Sequence, residues 1–236
     1  MRQGVTLIGS ASFLIPQKNR QKGAIAMQET IEKKGMIENV IHEQIENGEF
    51  RSNRKFNEFT IIDGEKSLIH VGNGEHTIVD TDLLEELVLM SCWSETPQGY
   101  IRGGVKGVGI RGIHEIVMRH KLRKYGGFKE DTGLRIVVNH KDGNPKNNRR
   151  SNLEVITQKE NLLKGDLSRT KRAKSGVKGI RWYTQLNQYR VSISNEHVGY
   201  YPTLDEAIEA RNHALKAEFQ RLEKMRLDWM KENNRI

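Results

Sequence analysis

A histidine and several amide side chains lie within one 23-residue segment in the middle of the chain. The segment begins with Asn139-His140-Lys141-Asp142-Gly143-Asn144, and Asn152 and Asn161 follow His140 by 12 and 21 residues. A neutral imidazole near pH 7 is suited to taking a proton from water. Amide oxygens are hard ligands, and Mg²⁺ prefers oxygen while keeping several of its own waters. Metal-assisted hydrolysis uses residues of these types.

The hydrophobic pattern predicts the elements that would position these residues. Residues 134–138 (Leu-Arg-Ile-Val-Val) predict a strand leading into the polar run, and residues 151–156 predict a second strand. Thr157, followed three residues later by Glu160, forms a capping box, which predicts that a helix begins there. The order strand, loop, strand, helix would place the Asn-His pair at a strand end and the last asparagine in the first turns of the helix.

The run VVNHKDGNPKNNRRSNLEVITQKEN resembles the HNH endonucleases of the ββα-metal fold, especially the small phage and intron-encoded homing types. Their pattern is D/N-H-x-D-G-N, an asparagine twelve residues after the histidine, and a final His or Asn nine residues further on. His140, Asn152 and Asn161 meet both spacings. The resemblance implies a DNA endonuclease in which His140 and Asn161 are catalytic. It also implies that Asn139 and Asn161 bind Mg²⁺ (or Mn²⁺), and that Asn152 holds the loop by bonding backbone.

Other residues of this segment allow two interpretations each. Asp142 and Gly143 are expected to form the turn, and since Asp-Gly-Asn is ordinary turn chemistry, a plain β-hairpin stays an alternative to the nuclease motif. Arg149 and Arg150 are expected to bind backbone phosphates of DNA, with simple solvated charge as the alternative. His114 matches a histidine often found upstream in the family, and we expect it to support the site structurally.

The chain departs from many relatives at Asn139, where they have aspartate. A neutral amide binds Mg²⁺ more weakly than a carboxylate does, so low metal affinity and a preference for Mn²⁺ are expected. The sequence therefore leaves open a second class of function, a regulatory protein that binds DNA without cleaving it because the HNH site has decayed.

The chain changes character after residue 175, in the run SGVKGIRWYTQLNQYRVSISNEHVGYYPTLDEAIEARNHALKAEF. Residues 178–183, 188–194 and 197–201 predict three short antiparallel strands, and Thr203 with Glu206 predicts the capping box of a long helix. The patterns G-V-x-G-[IV]-R-W and V-G-Y-Y-P-T resemble the AP2 domain, a three-stranded sheet with one helix. That resemblance implies a module that lays its sheet in the DNA major groove.

Period-two alternation divides the predicted sheet into two faces, although a merely solvated polar face is the alternative to a DNA-binding one. The residues expected to pack on the helix are Ile180, Trp182, Tyr189, Val191, Ile193, Val198 and Tyr201. The residues expected to contact DNA are Arg181, Tyr183, Gln188, Arg190, Ser192, Ser194 and His197. A basic linker before the sheet is expected to follow a DNA groove through Lys171, Arg172 and Lys174.

Charge distribution supports a nucleic-acid partner. The net charge is +9 overall, and residues 101–200 carry 22 basic against 8 acidic side chains, whereas residues 1–100 have a net charge of −5 and residues 201–236 of zero. The single cysteine, Cys92, excludes a disulfide framework and is expected to be a buried thiol beside Trp93. We expect a monomer in the cytoplasm of a bacterial or phage-infected cell, with double-stranded DNA as its partner, no membrane and no obligate protein partner.

The predicted fold class is α+β, with a ββα-metal HNH module and an AP2-like sheet with one packed helix. Upstream of the motif, one helix ending at Gly126-Gly127 is predicted from apolar spacing at Ile113, Ile116, Val117 and His120. Residues 1–26 are expected to be a non-native leader or a disordered segment. The leader interpretation rests on Lys22-Gly23-Ala24, which can be encoded by a ribosome-binding sequence upstream of Met27. The remaining predicted segments are an accessory α+β region (27–97), the HNH module (98–165), a basic linker (166–175), the AP2-like domain (176–225) and a helix end or tail (226–236).

Overall fold

The computed structural model describes residues 17–51, 55–166, 175–193 and 196–235, which confirm the predicted mixed α+β class. The chain divides into two compact units, with the division between Ile110 and Arg111. None of the helices described has both the length and the apolar character needed to cross a membrane.

The first unit begins with a long helix and a three-stranded antiparallel meander. Its elements are α1 (Gln17–Glu46), β1 (Phe59–Ile61), β2 (Lys66–Gly72) and β3 (Glu75–Asp80), with the strands in the order β1-β2-β3. The β2–β3 hairpin turns at Asn73 and Gly74, whose φ angles of 53° and 76° are those of the type I′ turn favoured by Asn-Gly. Residues 17–26 of the interpreted leader lie in α1, and residues 1–16 are outside the described residues.

A second sheet follows a short helical segment. After a 3-10 turn (Thr81–Leu83) come α2 (Leu84–Met90), β4 (Trp93–Glu95), β5 (Ile101–Val105) and β6 (Gly109–Gly112), with the strands in the order β4-β5-β6. The prediction of a buried Cys92 is wrong, because Ser91 and Trp93 on either side are buried and the intervening side chain is directed to solvent. Asn57 joins the two sheets by bonding the backbone of His70 and of Trp93.

The second unit contains the predicted hairpin and helix. Its first elements are α3 (Ile113–Val117), α4 (Arg119–Arg123), α5 (Phe128–Thr132), β7 (Ile136–His140), β8 (Leu153–Thr157) and α6 (Gln158–Asp166). The strand, loop, strand, helix order is confirmed. The single helix predicted through residue 120 is wrong, since Met118 adopts φ −98° and ψ 10° and separates α3 from α4.

The C-terminal part of this unit is a three-stranded antiparallel sheet under one long helix. The elements are β9 (Ile180–Tyr183), β10 (Gln188–Ile193), β11 (Glu196–Tyr201) and α7 (Leu204–Glu232), and the strand order is β11-β10-β9. One hydrophobic cluster contains Leu163 of α6, Ile193 of β10, and Leu215 and Leu222 of α7. The described parts of the predicted HNH and AP2-like segments therefore share one core.

Candidate functional site

The β7–β8 hairpin and α6 determine where the motif residues lie. In the antiparallel register Asn139 is opposite Glu154, and His140 is opposite Leu153. Because consecutive side chains of a strand point to opposite faces, Asn139 and His140 leave the end of β7 on different sides. The predicted capping box is present, as the N–H of Glu160 donates to Thr157 Oγ1 (3.1 Å) and the N–H of Thr157 donates to Glu160 Oε2 (2.6 Å). This box begins α6 directly at the end of β8.

The loop between the strands is closed by the side chains of Asn152 and Asp142. Asn152 Nδ2 donates to Asp142 Oδ1 (2.9 Å) and to the backbone oxygen of Asn147 (2.8 Å), and its Oδ1 accepts from the N–H of Asp142 (3.2 Å). Desolvation raises the pKa of Asp142, but hydrogen bonds from Asn144, Asn147 and Asn152 together bring it below its ordinary value. Gly143 completes the turn with a φ of +73°. Asp142 and Asn152 thus brace the loop.

His140 is the buried polar group at the centre of this arrangement. It is 7% exposed, and its Nε2 lies 3.0 Å from Asn148 Oδ1. The ring of His114 lies nearly edge-on to it, with centroids 5.2 Å apart and planes at 67°. Burial lowers the pKa of His140, although the Asn148 hydrogen bond and the charge of Asp142 oppose that effect. The imidazole is therefore neutral near pH 7, as a base must be.

Asn139 faces a carboxylate that the sequence did not single out. Its Nδ2 donates to Glu154 Oε1 (2.7 Å), and the same carboxylate forms an ion pair with Lys164 of α6. Burial raises the pKa of Glu154, but Lys164 and Asn139 together bring it below the ordinary value. Because the amide nitrogen bonds Glu154, the amide oxygen of Asn139 is directed away from that carboxylate.

Asn161 lies in the first turns of α6, as predicted, and is partly buried. It precedes Lys164 by three residues, and residues three apart are neighbours on one helix face. Lys164 of the same helix reaches Glu154, the partner of Asn139. The structure thus places Asn139 and His140 on opposite faces at one strand end, and Asn161 in the helix that follows β8.

The two arginines of the loop precede β8. Arg149 is partly buried and Arg150 is exposed, and their backbone oxygens accept from the N–H groups of Asn152 (2.9 Å) and Leu153 (3.3 Å). Their positions follow directly after Asn148, the partner of His140.

Residues expected to face outward on the C-terminal sheet are paired with one another across its strands. Arg190 is paired with Arg181 on one side and with Tyr200 on the other. The ring of Tyr200, which was not predicted to be part of this face, lies 5.3 Å from that of Tyr183 and 4.7 Å from that of His197. Like charges directly opposite each other on a sheet are unfavourable. Two facing arginines therefore favour a polyanionic partner.

Further residues of the predicted face follow the same register, with one correction on the opposite face. Gln188 is paired with Tyr183, and Ser192 with His197. Trp182 is 43% exposed although it was predicted to pack on the helix. It is paired with Tyr189, against whose ring it packs edge-on at 4.8 Å, whereas the neighbouring pair Ile180 and Val191 fills the cluster with α7. The predicted DNA contacts Lys171, Arg172, Lys174 and Ser194 lie outside the described residues.

Two residues of the site were missed from the sequence, Asn148 and Glu154. Alternation could have found Glu154, because a strand of known register places it opposite Asn139. No local signal identifies Asn148, which is one of four asparagines between residues 144 and 152.

A family model described as HNH endonuclease matches residues 128–163, from α5 to α6. The match indicates an HNH nuclease. We refer to these residues as the HNH segment. They include Asn139, His140, Asn148, Glu154 and Asn161. A nuclease of this kind acts on DNA. No curated protein and no solved structure matched the chain.

HNH nucleases generally use a divalent metal ion. Among the described residues no group of three or more His, Cys, Asp or Glu side chains is arranged to hold a metal. The family pattern assigns this role to Asn139 and Asn161, whose neutral amide oxygens would suit a hard cation that completes its shell with water and phosphate oxygens.

Proposed function

We propose that this protein is a site-specific DNA endonuclease of the homing type that hydrolyses phosphodiesters with a divalent metal ion and His140 as general base. The observation that carries the proposal is the buried, neutral imidazole of His140, fixed at a strand end beside Asn139 within the HNH segment. A phosphate lying across the end of the hairpin would meet both faces, because the two residues are adjacent and their Cα atoms are about 3.8 Å apart.

Asn139 and Asn161 would hold the metal ion through their amide oxygens. Bound there, Mg²⁺ or Mn²⁺ supplies neutralisation of the negative charge that develops on the phosphate and on the leaving oxygen. Because Lys164 neutralises Glu154, that carboxylate adds no net negative charge beside the metal ion. Much of the affinity for the ion would therefore come from the phosphate.

His140 would accept a proton from the attacking water. The water oxygen forms a bond to phosphorus, the bond from phosphorus to the 3′ oxygen breaks, and that oxygen is protonated by solvent. The products are a 5′-phosphate and a 3′-hydroxyl. Asn152 and Asp142 brace the loop between the two strands throughout.

The C-terminal sheet would supply site recognition in the manner of an AP2 domain. Arg and Gln side chains can read base edges in the major groove, and serine gives less specific contacts. The proposed DNA-contacting residues of the sheet are Arg181, Tyr183, Gln188, Arg190, Ser192, Ser194 and His197. Arg149, Arg150, Lys171, Arg172 and Lys174 would bind phosphates, with an affinity that falls as salt rises.

Cleavage and binding measured side by side test this function. The protein is incubated with double-stranded DNA that carries its site, identified by mapping cut positions on a whole phage genome, with Mg²⁺ or Mn²⁺. His140→Ala should lower the cleavage rate by orders of magnitude while DNA binding stays nearly intact. Arg190→Ala should weaken binding to the site by about 1–3 kcal/mol. The matched control is Lys216→Ala, which removes an exposed charge from α7 and should change neither quantity.

Each possible result has a clear meaning. Binding without cleavage by the unaltered protein in either metal would overturn the endonuclease proposal and favour the regulatory alternative. Equal loss of binding in Arg190→Ala and Lys216→Ala would show that the sheet face does not recognise the site.

A further inference from the structure

Asn148 is a fully buried polar side chain whose two ends are both engaged. It has 0% exposure, the highest burial of any loop residue between β7 and β8. Its Nδ2 donates to the backbone oxygen of Pro145 (3.0 Å), and its Oδ1 lies 3.0 Å from His140 Nε2. Burying an amide is costly unless its bonds are made, so these two contacts determine its orientation.

The orientation of the amide assigns the proton on the imidazole. A backbone oxygen can only accept, so the group facing Pro145 has to be the NH₂ group of Asn148. The amide oxygen therefore faces His140, and it too can only accept. It follows that His140 Nε2 carries a hydrogen and donates to Asn148. A neutral imidazole has one N–H, which leaves Nδ1 as its basic atom.

We propose that Asn148 is a positioning residue that holds His140 in the Nε2–H tautomer, so that Nδ1 is the atom that receives the proton in the hydrolysis. This inference rests on the proposed function for its catalytic consequence, but the tautomer itself does not depend on cleavage. Asn148 touches the base and not the substrate, and it acts only through the imidazole.

The rest of the loop is held independently of this contact. Asn152, Asp142 and Asn147 form their own network, in which Asn147 Nδ2 donates to Asp142 Oδ2 (2.8 Å). Asn147→Ala therefore removes a side-chain hydrogen bond from the same loop without touching His140. It is the matched control for Asn148→Ala, because both substitutions remove the same group from neighbouring positions.

Nitrogen NMR of the full-length protein tests the tautomer directly. In ¹⁵N-labelled protein without added metal, at a pH where His140 is neutral, long-range ¹H–¹⁵N correlation should show a protonated Nε2 and an unprotonated Nδ1. The His140 signals are assigned by their loss in His140→Ala. Asn148→Ala should move both shifts towards those of a mixture of tautomers, whereas Asn147→Ala should leave them unchanged. A protonated Nδ1 in the unaltered protein would overturn the inference.

Kinetics on double-stranded DNA test the consequence. Asn148→Ala should lower kcat by about 10–100-fold with KM unchanged, as expected when a group that orients a functional side chain is lost. Asn148→Asp keeps an acceptor facing Nε2 but sets its other oxygen against the Pro145 carbonyl, so it should recover part of kcat at a lower Tm. It also keeps the inference testable if Asn148→Ala does not fold. Equal kcat for Asn148→Ala and Asn147→Ala would overturn the positioning role.

The two levels of failure are distinguishable. An Nε2–H spectrum together with no cleavage by the unaltered protein refutes the endonuclease and supports the tautomer assignment. Normal cleavage with an Nδ1–H spectrum refutes the tautomer assignment and leaves the endonuclease standing.

Discussion

At the scale of single residues, the proposed metal site is built from neutral groups. The proposed base is a neutral imidazole, the proposed metal donors are amides, and Glu154, the carboxylate that bonds Asn139, is paired with Lys164. Without metal, such a site contains little electrostatic repulsion that a bound ion could relieve. It also exerts little electrostatic attraction on a metal ion. Weak metal binding that strengthens when DNA supplies phosphate oxygens follows from this composition.

Asn139→Asp reverses that balance. The new carboxylate would face Glu154 at the position where an amide now donates at 2.7 Å, so the free energy of unfolding should fall without metal. Mg²⁺ or Mn²⁺ should restore it, because a carboxylate binds these ions more strongly than an amide does. The measurement is the rise in Tm on adding metal, which should be larger in Asn139→Asp than in the unaltered protein.

The double variant Asn139→Asp with Glu154→Gln is the control for this prediction. It removes the facing carboxylate, so its Tm without metal should be higher than that of Asn139→Asp alone. A metal-induced rise in Tm that is the same in Asn139→Asp and in the unaltered protein would show that residue 139 is not a metal ligand.

The sequence predicted part of this chemistry. Spacing identified His140, Asn152 and Asn161, and the side-chain bonds of Asn152 to the loop agree with the expectation placed on it. Asn148 could not be found in the same way, because its importance comes from where the folded loop places it. Alternation could identify Glu154 only once the strand register that sets it opposite Asn139 is known.

At the scale of elements, α6 and α7 are joined by charge as well as by apolar contact. Glu218 of α7 pairs with Lys159 of α6 (2.7 Å) and with Arg221 one turn along α7 (2.7 Å). Hydrogen bonding to Arg221 first, and then to Lys159, lowers the pKa of Glu218 from 4.5 to about 2, against a smaller opposing effect of desolvation. The ionised carboxylate is thus stabilised by folding.

The pH dependence of stability follows from this lowered pKa. A depressed carboxyl pKa contributes stability above its unfolded value of 4.5, and the contribution is lost as pH falls towards 2. Glu218→Gln should therefore lower the free energy of unfolding at pH 7 by about 1–2 kcal/mol, allowing for solvent screening of a partly exposed pair. The deficit should shrink progressively below pH 4.5.

Denaturant unfolding of both proteins between pH 2 and pH 7 measures the effect. Glu223→Gln, on an exposed position of the same helix, is the control and should show no such deficit. A Glu218→Gln deficit that is constant from pH 7 to pH 2 would mean that the ion pairs do not contribute.

Among the elements, the strands and capping boxes were predictable, whereas the helix break at Met118 and the exposure of Trp182 were not. Strand alternation and the Thr157–Glu160 and Thr203–Glu206 boxes are local signals, and all are present. Met118 continues the apolar pattern of a helix, yet its backbone leaves the helical region. Trp182 lies on the face of the sheet that is directed towards α7. It is one cross-strand pair further along than Ile180 and Val191, which pack against the helix. Periodicity gives the face of an element and not its extent.

At the scale of the whole molecule, α7 ties the end of the chain to the beginning of the HNH segment. Trp229 lies in the last turns of α7, is buried, and packs edge-on against Phe128 with centroids 5.1 Å apart. Its Nε1 donates to Asp131 Oδ2 (2.6 Å), and its ring stacks near Tyr125 at 6.4 Å. No local pattern in the sequence predicts this contact, since it joins residues about 100 positions apart.

Trp229→Ala should therefore destabilise the HNH segment as well as the helix. Loss of a buried tryptophan leaves a cavity, and we expect a cost of about 3–5 kcal/mol in the free energy of unfolding. Thermal inactivation of cleavage and of DNA binding should shift to lower temperature together. Leu227→Ala, an exposed position on the same helix, is the control and should leave both unchanged. Loss of cleavage at lower temperature with DNA binding unaffected would show that the two segments unfold separately.

The cluster that Leu163 shares with Ile193, Leu215 and Leu222 has a consequence for engineering. A nuclease segment on a flexible linker would cleave at variable distances from the recognised sequence. A nuclease segment that shares a core with its DNA-binding domain can cleave at a single distance. Replacing the C-terminal sheet in order to change the DNA target would then succeed only if the new sheet came with a helix that packs against Leu163.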